Sequence, residues 1–178
     1  MSSVTLQSGQ VKRVNRLMVT VMIVTSVFAA IGLLAQLTQS DMNPALSIVP
    51  LILVIINLAA TLVVNAKFAP DLLRLYVAIG YTIVYAVMLL TSTSTSLYPY
   101  MIPILVVLVL YLDRKLVIRL GIVFIVLNLI RVVMNFFTAE DPAAMIEIAM
   151  IETIISILTV VVTVSGTKLL GSFMKENM

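Results

Sequence analysis

Six runs of mostly apolar residues, separated by short polar turns, leave this chain of 178 residues little choice of fold. A helix that crosses the hydrocarbon core of a bilayer needs about 20 such residues. By that measure the expected spans are Leu17–Leu37, Leu46–Asn65, Leu72–Leu90, Leu97–Leu112, Leu116–Phe137 and Met145–Ser165. In lipid the backbone must satisfy its own hydrogen bonds, and open runs of this length do so as helices. The expected fold is all-α: a polytopic membrane protein built as a bundle of six transmembrane helices. The fourth run is the shortest, with Tyr98 and Tyr111 placed to extend it at the two interfaces. Pro99 and Pro103 open it, and Pro103, about one turn inside, loosens the backbone and can kink the helix. At 62% hydrophobic residues and a mean hydropathy of +1.19, the chain has too little polar surface for a soluble domain of its size.

Lys and Arg set the expected orientation, because basic residues concentrate in cytoplasmic loops. Lys12, Arg13 and Arg16 precede the first run, Lys67 and Arg74 flank the second loop, and Arg114, Lys115 and Arg119 flank the fourth. Lys168 and Lys175 follow the last run. The other loops have no Lys or Arg, and two of them carry Asp41, Glu140 and Asp141. Ten of the eleven basic residues thus fall on one side, which predicts cytoplasmic N and C termini in a cell membrane and requires an even number of spans. The expected organisation is a cytoplasmic segment over 1–16, a six-helix domain over 17–165 and a cytoplasmic output-helix stub over 166–178. The first run is longer than the 7–15 residues of a signal-peptide core and ends in the poor cleavage site Ala35-Gln36-Leu37, so it reads as an uncleaved anchor. The run from Thr91 to Ser96 reads as an outer polar turn.

The chain has no cysteine and no histidine. It therefore lacks disulfides, thiolate chemistry, and the commonest general base and metal ligand. No nucleophile stands beside a base, and no basic stripe is interleaved with aromatics. An enzyme, a cofactor, a metal centre and a nucleic-acid partner are not expected.

Polar groups inside the apolar runs carry the candidate site. A charge at the bilayer centre costs about 3 kcal/mol on insertion scales, so such groups face a partner or a wet cavity. Asn128, Arg131 and Asn135 share one stripe of the fifth span, continued by Gly121 and Phe124. Glu152, Ser156, Thr159 and Thr163 share one stripe of the sixth. Arg131 lies about 9 Å from the outer end of its span and Glu152 about 10 Å from the start of its own, at about 1.5 Å per residue. The two stripes are expected to face each other, with Arg131 and Glu152 level and Glu147 shallower, within reach of Arg131 or water. The cluster reads either as an ion pair that fixes helix register or as a ligand- or ion-sensing site. Asn57 is the deep polar residue of the second span. Tyr81 and Tyr85, one turn apart in the third, either pack, line a cavity or donate to Asn57.

Val162, Gly166, Leu169 and Phe173 keep heptad-like spacing from the last span into the tail. Further signals come from Thr91-Ser92-Thr93-Ser94, from Tyr98, Tyr100 and Pro103, from Tyr111-Leu112-Asp113-Arg114-Lys115-Leu116 and from Asn128-Leu129-Ile130-Arg131. With the flanks Val11-Lys12-Arg13-Val14-Asn15-Arg16 and Phe173-Met174-Lys175-Glu176-Asn177, these resemble the multi-span N-terminal membrane region of certain Firmicutes methyl-accepting chemotaxis proteins. Similar regions occur in related sensor kinases and diguanylate cyclases. The resemblance implies a membrane sensory and signal-transducing module, at least dimeric, embedded in a lipid bilayer and responsive to a small-molecule ligand or to the bilayer itself. It also implies a cytoplasmic signalling coiled coil, of which the chain carries only the first turns. The alternative is a small integral membrane transport protein, such as the substrate-binding subunit of a vitamin or small-solute importer.

Overall fold

The computed structural model describes residues 8–38, 43–91, 95–138 and 142–176. These are helical throughout, apart from short turns. Helix α1 spans Ser8–Leu37, α2 Ala45–Lys67 and α3 Pro70–Thr91. A 3-10 helix, η1, over Thr95–Met101 leads into the short α4, Ile102–Val109. Helix α5 spans Arg114–Thr138 and α6 Pro142–Glu176. The expected acidic positions Asp41, Glu140 and Asp141 lie outside the described residues. Five helices among the described residues, namely α1, α2, α3, α5 and α6, are long and apolar enough to cross a membrane, which suggests a membrane location.

The core is mainly apolar, but it also takes in polar side chains while many large apolar ones face outward. Asn57, Thr61, Asn128, Arg131, Glu152 and Ser156 are buried, while Phe28, Ile55, Ile79, Ile122 and Val162 are exposed. Along α1 the buried positions Val11, Asn15, Met18, Met22, Ala29, Leu33 and Gln36 recur with the helical period and form one inward stripe. An apolar surround favours this arrangement, because bare aliphatic groups cost nothing there and polar groups must find partners inside.

Neighbouring helices run antiparallel. Ser47 at the start of α2 meets Gln36 at the end of α1, Oγ to Oε1 3.4 Å. Gly121 near the start of α5 faces Val160 in the second half of α6. Helix α4 is the innermost element: it packs against α1, α5 and α6, and of its eight residues only Val106 is exposed.

The fourth expected span is the one that departs from a single α-helix. Pro103 explains the break. It has no N–H, so the Pro99 carbonyl loses its α-helical partner and the Tyr100 carbonyl loses its 3-10 partner. The backbone accordingly changes from 3-10 to α between Met101 and Ile102. The 3-10 rise offsets the shortness. Seven residues at about 2.0 Å and eight at about 1.5 Å give about 26 Å, against a hydrocarbon core of about 30 Å.

Side-chain contacts hold the η1–α4 segment at both ends. At one end Tyr81 and Tyr85 of α3 reach the carbonyls of η1. At the other, Arg74 at the start of α3 pairs with Asp113 after α4 at 3.6 Å, and Tyr111 donates to Asn15 near the start of α1 at 2.6 Å. Tyr111 is buried among the helices there, at 4% exposure. The turn between α4 and α5 is tight: Leu112 takes φ +58°, and Asp113 caps α5 by accepting from the Leu116 amide at 3.0 Å.

Helix α6 starts at Pro142 and runs without a break to Glu176, so the described part of 166–178 continues the last apolar helix. Its 35 residues measure about 52 Å, longer than a bilayer core of about 30 Å.

Candidate functional site

The site is assembled from three helices. Helix α5 contributes Asn128 and Arg131, α6 contributes Glu152 and Ser156, and α3 contributes Tyr85. All five are buried, at 1–3% exposure. Asn128 and Arg131 are three residues apart on α5, and Glu152 and Ser156 four apart on α6, so each helix turns two polar groups to one side. The charges of Arg131 and Glu152 act on each other and on the Tyr85 hydroxyl. Ionised side chains buried this deeply require such a partner.

Tyr85 is the hub of the hydrogen bonding. Its Oη lies 3.1 Å from Asn128 Oδ1, 3.0 Å from Asn128 Nδ2 and 3.3 Å from the Tyr98 carbonyl on η1. Asn128 Nδ2 also donates to the Phe124 carbonyl one turn earlier, at 2.8 Å. The Phe124 ring packs on Tyr85 with centroids 5.9 Å apart and closes the cluster on the side toward the basic end. Ser156 Oγ, fully buried, finds no hydrogen-bond partner among the described residues. Other buried hydroxyls on α6 are satisfied within their own helix: Thr163 donates to the Thr159 carbonyl and Thr167 to that of Thr163.

The remaining expected residues are distributed elsewhere. Asn135 continues the α5 stripe outward and is half-buried. Glu147 is exposed on α6 and stands apart from the buried group. Tyr81 donates to the Tyr100 carbonyl at 2.9 Å, with the Thr25 hydroxyl of α1 beside it. Neither Tyr81 nor Tyr85 serves Asn57. That role falls to Tyr76, which donates to Asn57 Oδ1 at 3.4 Å. Asn57 fills the space beside Gly80, where an added Cβ would come within 2.5 Å of Oδ1. Asn57 is thus helix–helix glue between α2 and α3, and a separate feature from the charged group.

Sequence reasoning did not single out Asn15, Gln36 or Ser47, which tie the ends of α1 to its neighbours. For Asn15 and Gln36, their place on the inward stripe of α1 was the available signal. It also missed the Tyr98 and Tyr100 carbonyls as acceptors; Pro103, which removes the 3-10 donor to Tyr100, was a signal for the second of them.

A groove of about 480 Å3 opens between the C-terminal part of α5 and the N-terminal part of α6. Its walls are apolar and include Val132, Phe136, Met145, Ala149 and Thr153. Among the described residues no three of His, Cys, Asp and Glu come together as a metal site. Comparison with known families, with curated proteins and with solved structures returns no match to this chain.

Proposed function

We propose that the chain is a membrane sensory module of six spans with both termini cytoplasmic, in which a change at the Arg131–Glu152 pair is carried along α6. The observation that carries this reading is the continuity of α6. One unbroken helix bears Glu152 in the buried cluster and, from about 21 Å further on, the tail beyond Gly166. A rigid rod with a buried charge at one level and a tail at another transmits rotation or translation without further parts. The height covered by η1 and α4 supports a fourth crossing. The single-sided distribution of Lys and Arg supports cytoplasmic termini.

The tail supports an output role. Val162, Leu169 and Phe173 are each more than half exposed, and with Gly166 they follow heptad spacing. The exposed apolar positions of such a stripe suit parallel pairing with a second copy of the chain. The stimulus is a small ligand or the state of the bilayer.

The test is a phase scan. A soluble coiled-coil signalling domain fused in register after Met178 should come under control of the membrane module. One residue inserted between Gly166 and Lys168 rotates everything beyond it by about 100° and should change or abolish that control. Unchanged output after insertions of one, two and three residues would make the tail a passive tether. The transport reading, which the groove between α5 and α6 favours, would then take its place.

A further inference from the structure

The Tyr85 hydroxyl has one proton and two acceptors. Asn128 Oδ1 lies 3.1 Å away in the charged cluster, and the Tyr98 carbonyl lies 3.3 Å away on η1. The two bonds are mutually exclusive, which defines two hydrogen-bond patterns. In the first, Tyr85 donates to Asn128 Oδ1 and the Tyr98 carbonyl loses this contact. In the second, Tyr85 donates to Tyr98, while Asn128 Nδ2 donates to Tyr85 Oη and to the Phe124 carbonyl, at 3.0 and 2.8 Å. Asn128 Oδ1 is then open to another donor. Arg131 stands one helical turn along α5, and a long side chain on a helix points back over the preceding turn, which here contains Asn128.

The acceptor on η1 sits where the backbone is least secure. The 3-10 helix runs for seven residues, whereas runs beyond three or four are uncommon, and such stretches often mark hinges. Pro99 and Pro103 each remove a donor from it. Tyr81 supplies a hydroxyl to the Tyr100 carbonyl, which Pro103 leaves without its 3-10 donor, at 2.9 Å, and Tyr85 adds one to the Tyr98 carbonyl at 3.3 Å. Of these two hydroxyls, only Tyr85's also reaches Asn128. At its other end α4 meets α6: a Cβ added at Gly166 would sit 3.7 Å from Val109 Cγ1.

We infer that Tyr85 is a relay that couples the Arg131–Glu152 pair to the firmness of η1 through this choice of acceptor. While Glu152 draws Arg131 to itself, Asn128 Oδ1 is left to Tyr85. When that attraction weakens, Arg131 turns to Asn128 Oδ1, the Tyr85 proton moves to Tyr98, and η1 tightens. The coupling is a property of the bundle and holds for a sensor or a transport subunit alike.

Amide hydrogen exchange of Tyr100, Met101 and Ile102 in the membrane-embedded protein reads the firmness of η1. Tyr85→Phe should speed exchange there about fivefold, the worth of one ordinary hydrogen bond. Asn128→Leu removes the competing acceptor and should slow it by a similar factor. Opposite signs distinguish the relay from simple packing, since loosening the core at either residue would speed exchange. Faster or unchanged exchange in Asn128→Leu would overturn the relay. A second arm uses Glu152→Gln, which should slow exchange in the wild-type and Tyr81→Phe backgrounds and have no effect in Tyr85→Phe. No effect in any background, or the same effect in all three, would also overturn it.

Discussion

Helices α2 and α6 are both edge elements with polar stripes turned inward, and they handle those stripes in different ways. On α2 the buried positions are Ser47, Pro50, Val54, Asn57 and Thr61. Every polar group among them is neutral, and each finds a partner nearby: Ser47 at Gln36, Asn57 at Tyr76, and Thr61 at the Asn57 carbonyl, 2.8 Å away. On α6 the stripe begins with a carboxylate. Glu152 finds its opposite charge on α5, and the pair draws in Tyr85 from α3 and through it the backbone of η1. A neutral group in the bundle can be satisfied by one neighbour. A buried charge recruits several elements at once, which gives it influence over their arrangement.

This contrast predicts unequal costs of mutation. Arg131→Ala or Glu152→Ala leaves an uncompensated charge inside the bundle. Each should destabilise the protein by about 3–5 kcal/mol, seen as loss of folded protein in membranes or a large drop in unfolding midpoint. Asn57→Ala on the opposite edge should cost far less, and comparable losses at the two sites would erase the distinction between them.

The contact that brings α5 against α6 should come next in size. A Cβ at Gly121 would lie 2.6 Å from Val160 Cγ1, and the β-branched valine has little freedom to yield. Gly121→Ala should cost about 1–3 kcal/mol by overpacking, with Val160→Ala in the same chain restoring most of it. Restoration would sharpen the comparison, because α2 meets α3 at Gly80 through the tip of an Asn side chain, which can move aside. Thermal unfolding in detergent with a helix signal is sufficient to read this.

The smallest effect should be at Tyr76→Phe. Its bond to Asn57 is long at 3.4 Å, and hydrogen bonds between membrane helices average about 0.6 kcal/mol. A loss above about 2 kcal/mol would show that the α2 edge depends on its polar stripe as heavily as the α6 edge does.

Much of this was legible in the sequence, for physical reasons. Apolar runs of bilayer length carry their own signal, and the spacing of Asn128, Arg131, Glu152 and Ser156 follows from helical geometry alone. The same geometry placed Glu147 within reach of Arg131 by depth. At five residues before Glu152 it is turned well around the helix, and it is exposed. The tyrosines were harder. Tyr76, Tyr81 and Tyr85 occupy successive turns of α3 and look interchangeable. Their partners depend on which helix lies opposite each turn, and one partner is backbone made available by prolines in another segment. The division of the fourth run into 3-10 and α parts was signalled by Pro99 and Pro103, but the seven-residue length of the 3-10 stretch follows from the grip of α3 and could not be read locally.

Arg131 and Glu152 should act as a unit. A double-mutant cycle tests it most directly, with the stability of Arg131→Ala, Glu152→Ala and the double variant measured in one membrane mimetic. Strong non-additivity is expected, with the double variant no worse than either single one, because removing both charges leaves nothing uncompensated. Losses that sum, or coupling of Arg131 to Glu147 in place of Glu152, would contradict it.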